Sequence, residues 1–314
     1  MALPAPDLNA LLPRLHGVVP PAVTPLTAEG VLDREGLDAL VEHLVAGGVH
    51  GLFMMGTTGE AYILPDAVRH EAVARAATAL HGRLPLYVGI GDNSWERTLA
   101  NAAQAADAGA DVLVLISPPY LDYAEAERER YFVELAGRLP LPVLLYNIPQ
   151  VNRNPVTPAM LRRLVDAPNV VGLKDSAGDA LATSHVLAWL RAERPQFRWF
   201  EGQDALAAQS LLLGAHGVVN GGTNVFPRVY VELWEASQRG DTAALRAAHG
   251  RLVRTLALYG LDRAHSSSFG SYLKCTKHAL RVLGIGQGHL SPPFAPLGEE
   301  SRRAVERLLA DLAE

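Results

Sequence analysis

Eight short runs of apolar and β-branched residues recur along the chain, separated by stretches rich in Ala, Leu, Arg and Glu with helical spacing. The runs are continuous rather than alternating, as expected of strands buried on both faces of a parallel sheet. This pattern predicts an α/β fold, either a (β/α)8 TIM barrel, which we favour, or a doubly wound open sheet. The predicted strands are residues 18–23, 51–55, 86–90, 112–116, 143–147, 170–174, 197–201 and 217–219.

From about Phe226 the pattern becomes nearly all helical. We therefore predict a barrel over residues 1–225 and a C-terminal helical extension over residues 226–314, packed on the barrel as a single structural unit. The helices predicted within the barrel include residues 37–46, 67–80, 95–108 and 125–138.

Composition narrows the class of protein. Of 314 residues, 49% are hydrophobic and 19% charged, which is ordinary for a globular chain and excludes a disordered one. The net charge is −5 without a basic stripe, which argues against a nucleic-acid groove or an anionic membrane surface. No apolar run approaches the roughly 18 residues of a membrane span, and residues 1–17 lack the features of a signal peptide. The sequence predicts a soluble, cytoplasmic protein.

Lysine is scarce in this chain. Of 28 basic residues only Lys174, Lys274 and Lys277 are lysines, and the other 25 are arginines. Arginine does not deprotonate in proteins, whereas lysine offers a primary amine for Schiff-base chemistry. The single cysteine, Cys275, can form neither an internal disulfide nor a thiolate metal cluster.

Lys174 ends the sixth predicted strand. In a barrel of this kind the active site lies at the carboxyl ends of the strands. An amine in such a place loses part of its hydration, which disfavours the ammonium form, and the neutral amine can attack a ketone to give an imine. The alternative is a lysine that reaches solvent or pairs with Asp175.

Tyr146 ends the fifth predicted strand, one βα unit before Lys174. Neighbouring strands lie about 4.8 Å apart, so an inward-pointing phenol would reach the amine. A phenol there can transfer protons during imine formation and carbon–carbon cleavage. The alternative is a tyrosine of the core or rim.

Residues 56–60, Gly-Thr-Thr-Gly-Glu, follow the second predicted strand. The glycines permit a tight turn, and amide groups at the start of a helix would bind a carboxylate, with the threonine hydroxyls as further donors. The alternative is a capping box formed by Thr57 and Glu60, which serves only the helix. After the fourth strand, prolines 118 and 119 fix a loop that presents Tyr120 and Tyr123, a pattern more typical of packing or a subunit contact.

No cofactor or metal site is predicted. The eleven histidines lack metal-binding spacing, and residues 89–93 are only a broken match to a dinucleotide fingerprint. Asp175 and Asp179 could bind a cation, but acids at helix starts usually cap the helix. A lysine imine is itself an electron sink.

Taken together, these motifs resemble the dihydrodipicolinate synthase/N-acetylneuraminate lyase family of Schiff-base aldolases. The similarity extends from residue 17 to about residue 293, and the order and spacing of its motifs are more specific than any one of them. The matching segments are residues 56–60, 146–149, 172–179, 200–204 and 214–221.

The resemblance implies a role for each matching residue. Lys174 would form the imine with pyruvate or another 2-oxo acid, and Tyr146 would be the proton shuttle. The Thr57 hydroxyl would link Tyr146 to Tyr120, which in this family can come from a neighbouring subunit. Gly56, Thr57 and Thr58 would surround the carboxylate, and Gly202 and Val219 would line the pocket. The family is commonly tetrameric, so a homo-oligomer, tetramer or dimer, is implied.

One departure bears on the substrate. Family members that condense pyruvate with aspartate semialdehyde carry Arg-Thr-Gly beginning five residues after the tyrosine, where this chain has Val151, Asn152 and Arg153. A valine cannot bind a second carboxylate. The sequence thus favours a lyase that cleaves or forms a hydroxylated 2-oxo acid with pyruvate. The alternatives are the 4-hydroxy-tetrahydrodipicolinate synthase, a 3-deoxy-2-oxo sugar acid dehydratase, and a non-catalytic binding protein on the same barrel.

Overall fold

The computed structural model of the chain describes residues 8–313. Residues 1–7 and Glu314 lie outside the described residues. Residues 1–7 begin the predicted barrel region and the segment that was compared with a signal peptide. Glu314 ends the predicted helical extension.

Eight parallel strands form one sheet, in the order β1-β8-β7-β6-β5-β4-β3-β2. Each strand therefore lies beside its neighbours in sequence, and the first strand pairs with the last. The backbone carbonyl of Val18 accepts a hydrogen bond of 2.8 Å from the amide of His50, which precedes β2. This order confirms the predicted barrel and excludes the open doubly wound sheet, whose strand order reverses at a switch point. The strands are β1 (Gly17–Val18), β2 (Leu52–Met54), β3 (Leu86–Gly89), β4 (Val112–Ile116), β5 (Val143–Asn147), β6 (Val170–Asp175), β7 (Arg198–Glu201) and β8 (Gly217–Val218).

All eight predicted strands exist, but β1 is shorter than expected. The apolar run predicted a strand over residues 18–23, whereas β1 ends at Val18. Pro20 and Pro21 follow, and proline has no amide hydrogen to donate to a sheet.

Helices follow the strands where the apolar spacing changes to the helical period. The four predicted helices are each found within three residues of their expected starts, as α2 to α5. The helices are α1 (Leu8–Leu11), α2 (Arg34–Ala46), α3 (Asp66–Leu80), α4 (Trp95–Asp107), α5 (Glu125–Ala136), α6 (Pro149–Asn152), α7 (Pro158–Leu164), α8 (Ala180–Glu193), α9 (Ala207–Leu212), α10 (Pro227–Gln238), α11 (Thr242–Thr255), α12 (Ser268–Val282) and α13 (Glu299–Ala313).

The described residues divide into two compact units. The first comprises residues 8–19, 50–53 and 82–220, and the second comprises residues 20–49, 54–81 and 221–313. The division predicted at residue 225 stays a prediction. No helix between residues 8 and 313 combines the length and apolar character needed to cross a lipid bilayer.

The core of the first unit is built by side chains that point inward from the strands. One buried cluster contains Phe53, Leu144, Tyr146, Phe200 and Val219, contributed by or next to four different strands. Because strand side chains alternate, the residues that follow them on the same strands point outward toward the helices. This alternation decides which residues share the interior with Tyr146.

Candidate active site

Lys174 and Tyr146 lie side by side at the ends of β6 and β5, where the two residues are register partners. Both are buried, with 4% and 5% of their surfaces exposed. The Lys174 Nζ atom lies 4.0 Å from the centroid of the Tyr146 ring and 5.1 Å from that of the Phe53 ring. The amine is thus enclosed by aromatic faces, next to a phenol.

Within residues 8–313, Lys174 forms no salt bridge. Asp175, the partner considered in the alternative interpretation, accepts a hydrogen bond of 2.7 Å from the Asn147 amide instead. Lys174 neither reaches solvent nor pairs with an acid among residues 8–313, so neither of the two alternative interpretations describes it. Aromatic faces attract a cation more weakly than a buried carboxylate does. The amine therefore contacts two aromatic rings instead of a carboxylate counter-ion.

Gly202 directly follows β7, the strand beside β6, and Val219 directly follows β8, the next strand in the sheet. The Gly202 amide donates a 2.6 Å hydrogen bond to the carbonyl of Asp175, and a Cβ atom at position 202 would collide with the Ser176 hydroxyl. Only glycine fits at this crossing. Val219 is buried in the same apolar cluster as Tyr146. Gly202 thus contacts the backbone next to Lys174, and Val219 belongs to the apolar cluster that contains Tyr146.

Tyr120 is 89% exposed and has a φ of 88°, an unusual conformation for a residue with a side chain. The loop that presents it is held by Asn154. The Asn154 side-chain amide donates to the carbonyls of Pro118 (3.0 Å) and Leu121 (2.7 Å), and its oxygen accepts from the Tyr123 amide (3.0 Å). These contacts of Asn154 were not identified from the sequence, because they join residues more than 30 positions apart.

In the second unit, residues 56–60 form a turn rather than the start of a helix, since α3 begins only at Asp66. The Thr57 hydroxyl is buried and has no hydrogen-bond partner among residues 8–313, so the capping box expected as an alternative does not form. The Thr58 hydroxyl accepts a 3.1 Å hydrogen bond from the Tyr272 hydroxyl. Tyr272 is a further residue that the sequence did not reveal.

Glu60, the last residue of this turn, has a buried carboxylate that contacts α12 and the segment after it. Its carboxylate pairs with Lys277 of α12 and accepts a 2.8 Å hydrogen bond from the Ser291 amide. Lys277 also donates to the carbonyl of His289. Burial lowers the pKa of Lys277, and the charge of Glu60 opposes that shift. The scarcity of lysine drew attention to Lys277 as well, although its partner Glu60 could not be predicted from the sequence.

We expect Lys277→Met to destabilise the fold by about 3–5 kcal/mol, because it leaves the Glu60 carboxylate buried without its counter-charge. Urea unfolding would measure the change. The matched control is Arg75→Met, which breaks the half-exposed Arg75–Asp38 pair and should cost far less. A loss for Lys277→Met no larger than that of the control would contradict the expectation.

Comparison with known proteins identifies the family to which this chain belongs. A sequence model of the Dihydrodipicolinate synthetase family matches residues 14–312, and the chain belongs to that family. This confirms the family, the barrel fold and the expectation of an enzyme of the lyase or aldolase type that the sequence predicted.

Individual relatives cover nearly the whole chain. The putative 2-dehydro-3-deoxy-D-gluconate aldolase YagE of Escherichia coli K12 is 33% identical over 94% of this chain and 96% of its own length. A 4-hydroxy-tetrahydrodipicolinate synthase of Xylella fastidiosa is also 33% identical, over 90% of both chains. Among solved structures, YagE in complex with pyruvate matches with a TM-score of 0.88 at 32% identity, covering 95% of this chain and 99% of that one. The dihydrodipicolinate synthase of Bacteroides thetaiotaomicron matches with a TM-score of 0.89 at 38% identity, covering 95% and 98%.

Proposed function

We propose that this chain is a Schiff-base lyase that cleaves or forms a hydroxylated 2-oxo acid, with pyruvate as one partner. The observation that carries the proposal is the buried Lys174 amine, which forms no ion pair within residues 8–313 and lies 4.0 Å from the Tyr146 ring. The aldolase name of YagE, which refers to a 2-dehydro-3-deoxy acid, and the pyruvate in its structure support the same substrate class.

The reaction begins when the Lys174 nitrogen attacks the C2 carbonyl of the substrate. The Tyr146 phenol gives its proton to the leaving hydroxide, so loss of water leaves a protonated imine and the Tyr146 phenolate, and the imine withdraws electrons from C3. Tyr146 takes the proton of the C4 hydroxyl as the C3–C4 bond breaks, and the aldehyde leaves. The bonding electrons form an enamine, which gains a proton at C3. Hydrolysis of the resulting imine by water then releases pyruvate and restores the amine.

The roles that the family resemblance implies for the other residues are part of this proposal. These are carboxylate binding by Gly56, Thr57 and Thr58, and proton relay through Thr57 and Tyr120. The large exposed surface of the Tyr120 ring supports a contact with a second subunit of a homo-oligomer. A location in the cytoplasm also belongs to the proposal.

The experiment is borohydride reduction in the presence of pyruvate, followed by mass spectrometry of peptides. We expect a stable adduct on the peptide that contains Lys174, and pyruvate release from 3-deoxy-2-oxo sugar acids. An adduct accompanied by 2-oxoglutarate semialdehyde or a similar product, without pyruvate release, would identify a dehydratase instead. Absence of any adduct would favour the non-catalytic binding protein.

Synthase activity is the second candidate, because the Xylella fastidiosa synthase is as similar to this chain as YagE is, at 33% identity. Val151 and Arg153 occupy the positions near the expected arginine, and both are exposed at the end of α6. Condensation of pyruvate with aspartate semialdehyde, compared between the wild type and Arg153→Ala, decides whether Arg153 serves this reaction.

A further inference from the structure

Three polar residues occupy the last positions of three neighbouring strands: Asn147 on β5, Asp175 on β6 and Glu201 on β7. They are register partners in that order. Each one directly follows one of Tyr146, Lys174 and Phe200, which are register partners in the same order. We call these three residues the outer polar row, because alternation along a strand turns them away from the interior.

The outer polar row is buried, with at most 5% of any member exposed. Its side chains bind the loops that follow the strands. The Asn147 oxygen accepts from the Val156 amide (2.9 Å), and the Asn147 nitrogen donates to Asp175 (2.7 Å). The Glu201 carboxyl accepts from the Gln203 amide and the Ser210 hydroxyl, both at 2.7 Å.

The main chain around Lys174 is held by the same three strand ends. The Ser176 amide donates to the carbonyl of Asn147 (2.8 Å), and the Gly202 amide donates to the carbonyl of Asp175 (2.6 Å). The direction of the Lys174 side chain therefore depends on how β5, β6 and β7 align at this level. A displacement of Asp175 relative to Glu201 would move the amine directly.

The row contains two carboxyl groups and no cation. Within residues 8–313, neither Asp175 nor Glu201 forms a salt bridge with a lysine, arginine or histidine. The negative charge of Asp175 acts on Glu201, and the negative charge of Asp179, which precedes α8, acts on Asp175. Burial raises the pKa of Asp175, and it raises the pKa of Glu201 to about 7. In two neighbouring buried acids without a counter-ion, ionisation of one opposes ionisation of the other.

We propose that Glu201 is a positioning residue for Lys174: while the row holds a proton, β6 and β7 stay aligned, and when that proton leaves, repulsion between Glu201 and Asp175 shifts the strand ends and misplaces the amine. This inference rests on the proposed lysine-imine function. It adds to that function a group that touches no substrate and acts only through the backbone beside Lys174.

The test compares kcat of Glu201→Gln with kcat of the wild type over a pH range. Glutamine has the shape of the protonated acid and does not ionise, so the ratio of variant to wild type should rise by about threefold or more between about pH 6 and pH 8, as expected for repulsion of like charges on neighbouring strands. The midpoint should lie near the pKa of Glu201, about 7. The matched control is Asp166→Asn, which removes an exposed acid of the same unit and should give a flat ratio.

Ser210→Ala provides an independent measurement that does not depend on the folding of Glu201→Gln. It removes a hydrogen bond that lowers the pKa of Glu201, so the wild-type inflection in kcat should move to higher pH. A flat ratio for Glu201→Gln, or an inflection that Ser210→Ala leaves unmoved, overturns the positioning role while borohydride trapping on Lys174 still succeeds. Failure of trapping in the wild type overturns the proposed function and this inference together.

Discussion

Lys174→Ala is expected to abolish both the borohydride-trapped pyruvate adduct and all turnover. Without the primary amine no imine forms, and the electron sink for C3–C4 cleavage is lost. Lys174→Arg should be equally inactive, because a guanidinium keeps the charge yet does not form the imine. The measurements are the mass of the peptide that contains residue 174 and the rate of pyruvate release.

The control for this prediction is Lys274→Arg. Lys274 is also buried, but it pairs with Asp262 at 3.4 Å and hydrogen-bonds to Ser266 in the second unit. A variant that changes this lysine should retain the adduct on Lys174. Circular dichroism of each variant separates loss of chemistry from loss of the fold. An adduct that persists in Lys174→Ala would show that another amine reacts with pyruvate.

Tyr146→Phe should slow carbon–carbon cleavage by about 10²–10⁴, the usual contribution of one acid–base group. Phenylalanine keeps the ring, so the edge-to-face contact with Phe53, at 6.3 Å between centroids, and the aromatic face beside Lys174 are preserved. Only the hydroxyl that takes the C4 proton is removed. Single-turnover measurements of aldehyde release would report this step separately from imine hydrolysis.

Tyr87→Phe is the matched control for the loss of a buried hydroxyl. Tyr87 belongs to the same core cluster, and its hydroxyl has no hydrogen-bond partner among residues 8–313. Removing an unpartnered hydroxyl costs no hydrogen bond, so this variant should cleave substrate at close to the wild-type rate. Equal rates for Tyr146→Phe and the wild type would remove Tyr146 from the proton path.

The sequence predicted the strands because a strand buried on both faces is marked by its own residues. The same local pattern placed Lys174 and Tyr146 at neighbouring strand ends, and their juxtaposition followed from strand order alone. β1 was overestimated because apolar character continues past Val18 although Pro20 ends the pairing. Such features depend on a few adjacent residues, so sequence reasoning reaches them.

The residues that support the turn and loops were not predictable in this way. The contact between Glu60 and Lys277 joins residues 217 positions apart, and Tyr272 reaches Thr58 across 214 positions. Asn154 and the outer polar row act through contacts that appear only once the strands and loops are placed. Residue type suggested chemistry at Lys174. The residues next to Glu60 in the sequence did not show whether Glu60 caps a helix with Thr57 or pairs with a distant residue.

All three lysines of this chain are buried, whereas arginine supplies the exposed positive charges of its surface ion pairs. A reagent that acylates primary amines therefore meets no exposed lysine side chain on the folded protein. Each lysine reacts only when its surroundings open, so the rates of acylation at Lys174, Lys274 and Lys277 measure local opening at three separate places. The three acylation rates thus report motion at three places in the chain. A keto acid bound as an imine to Lys174 would block acylation of that lysine.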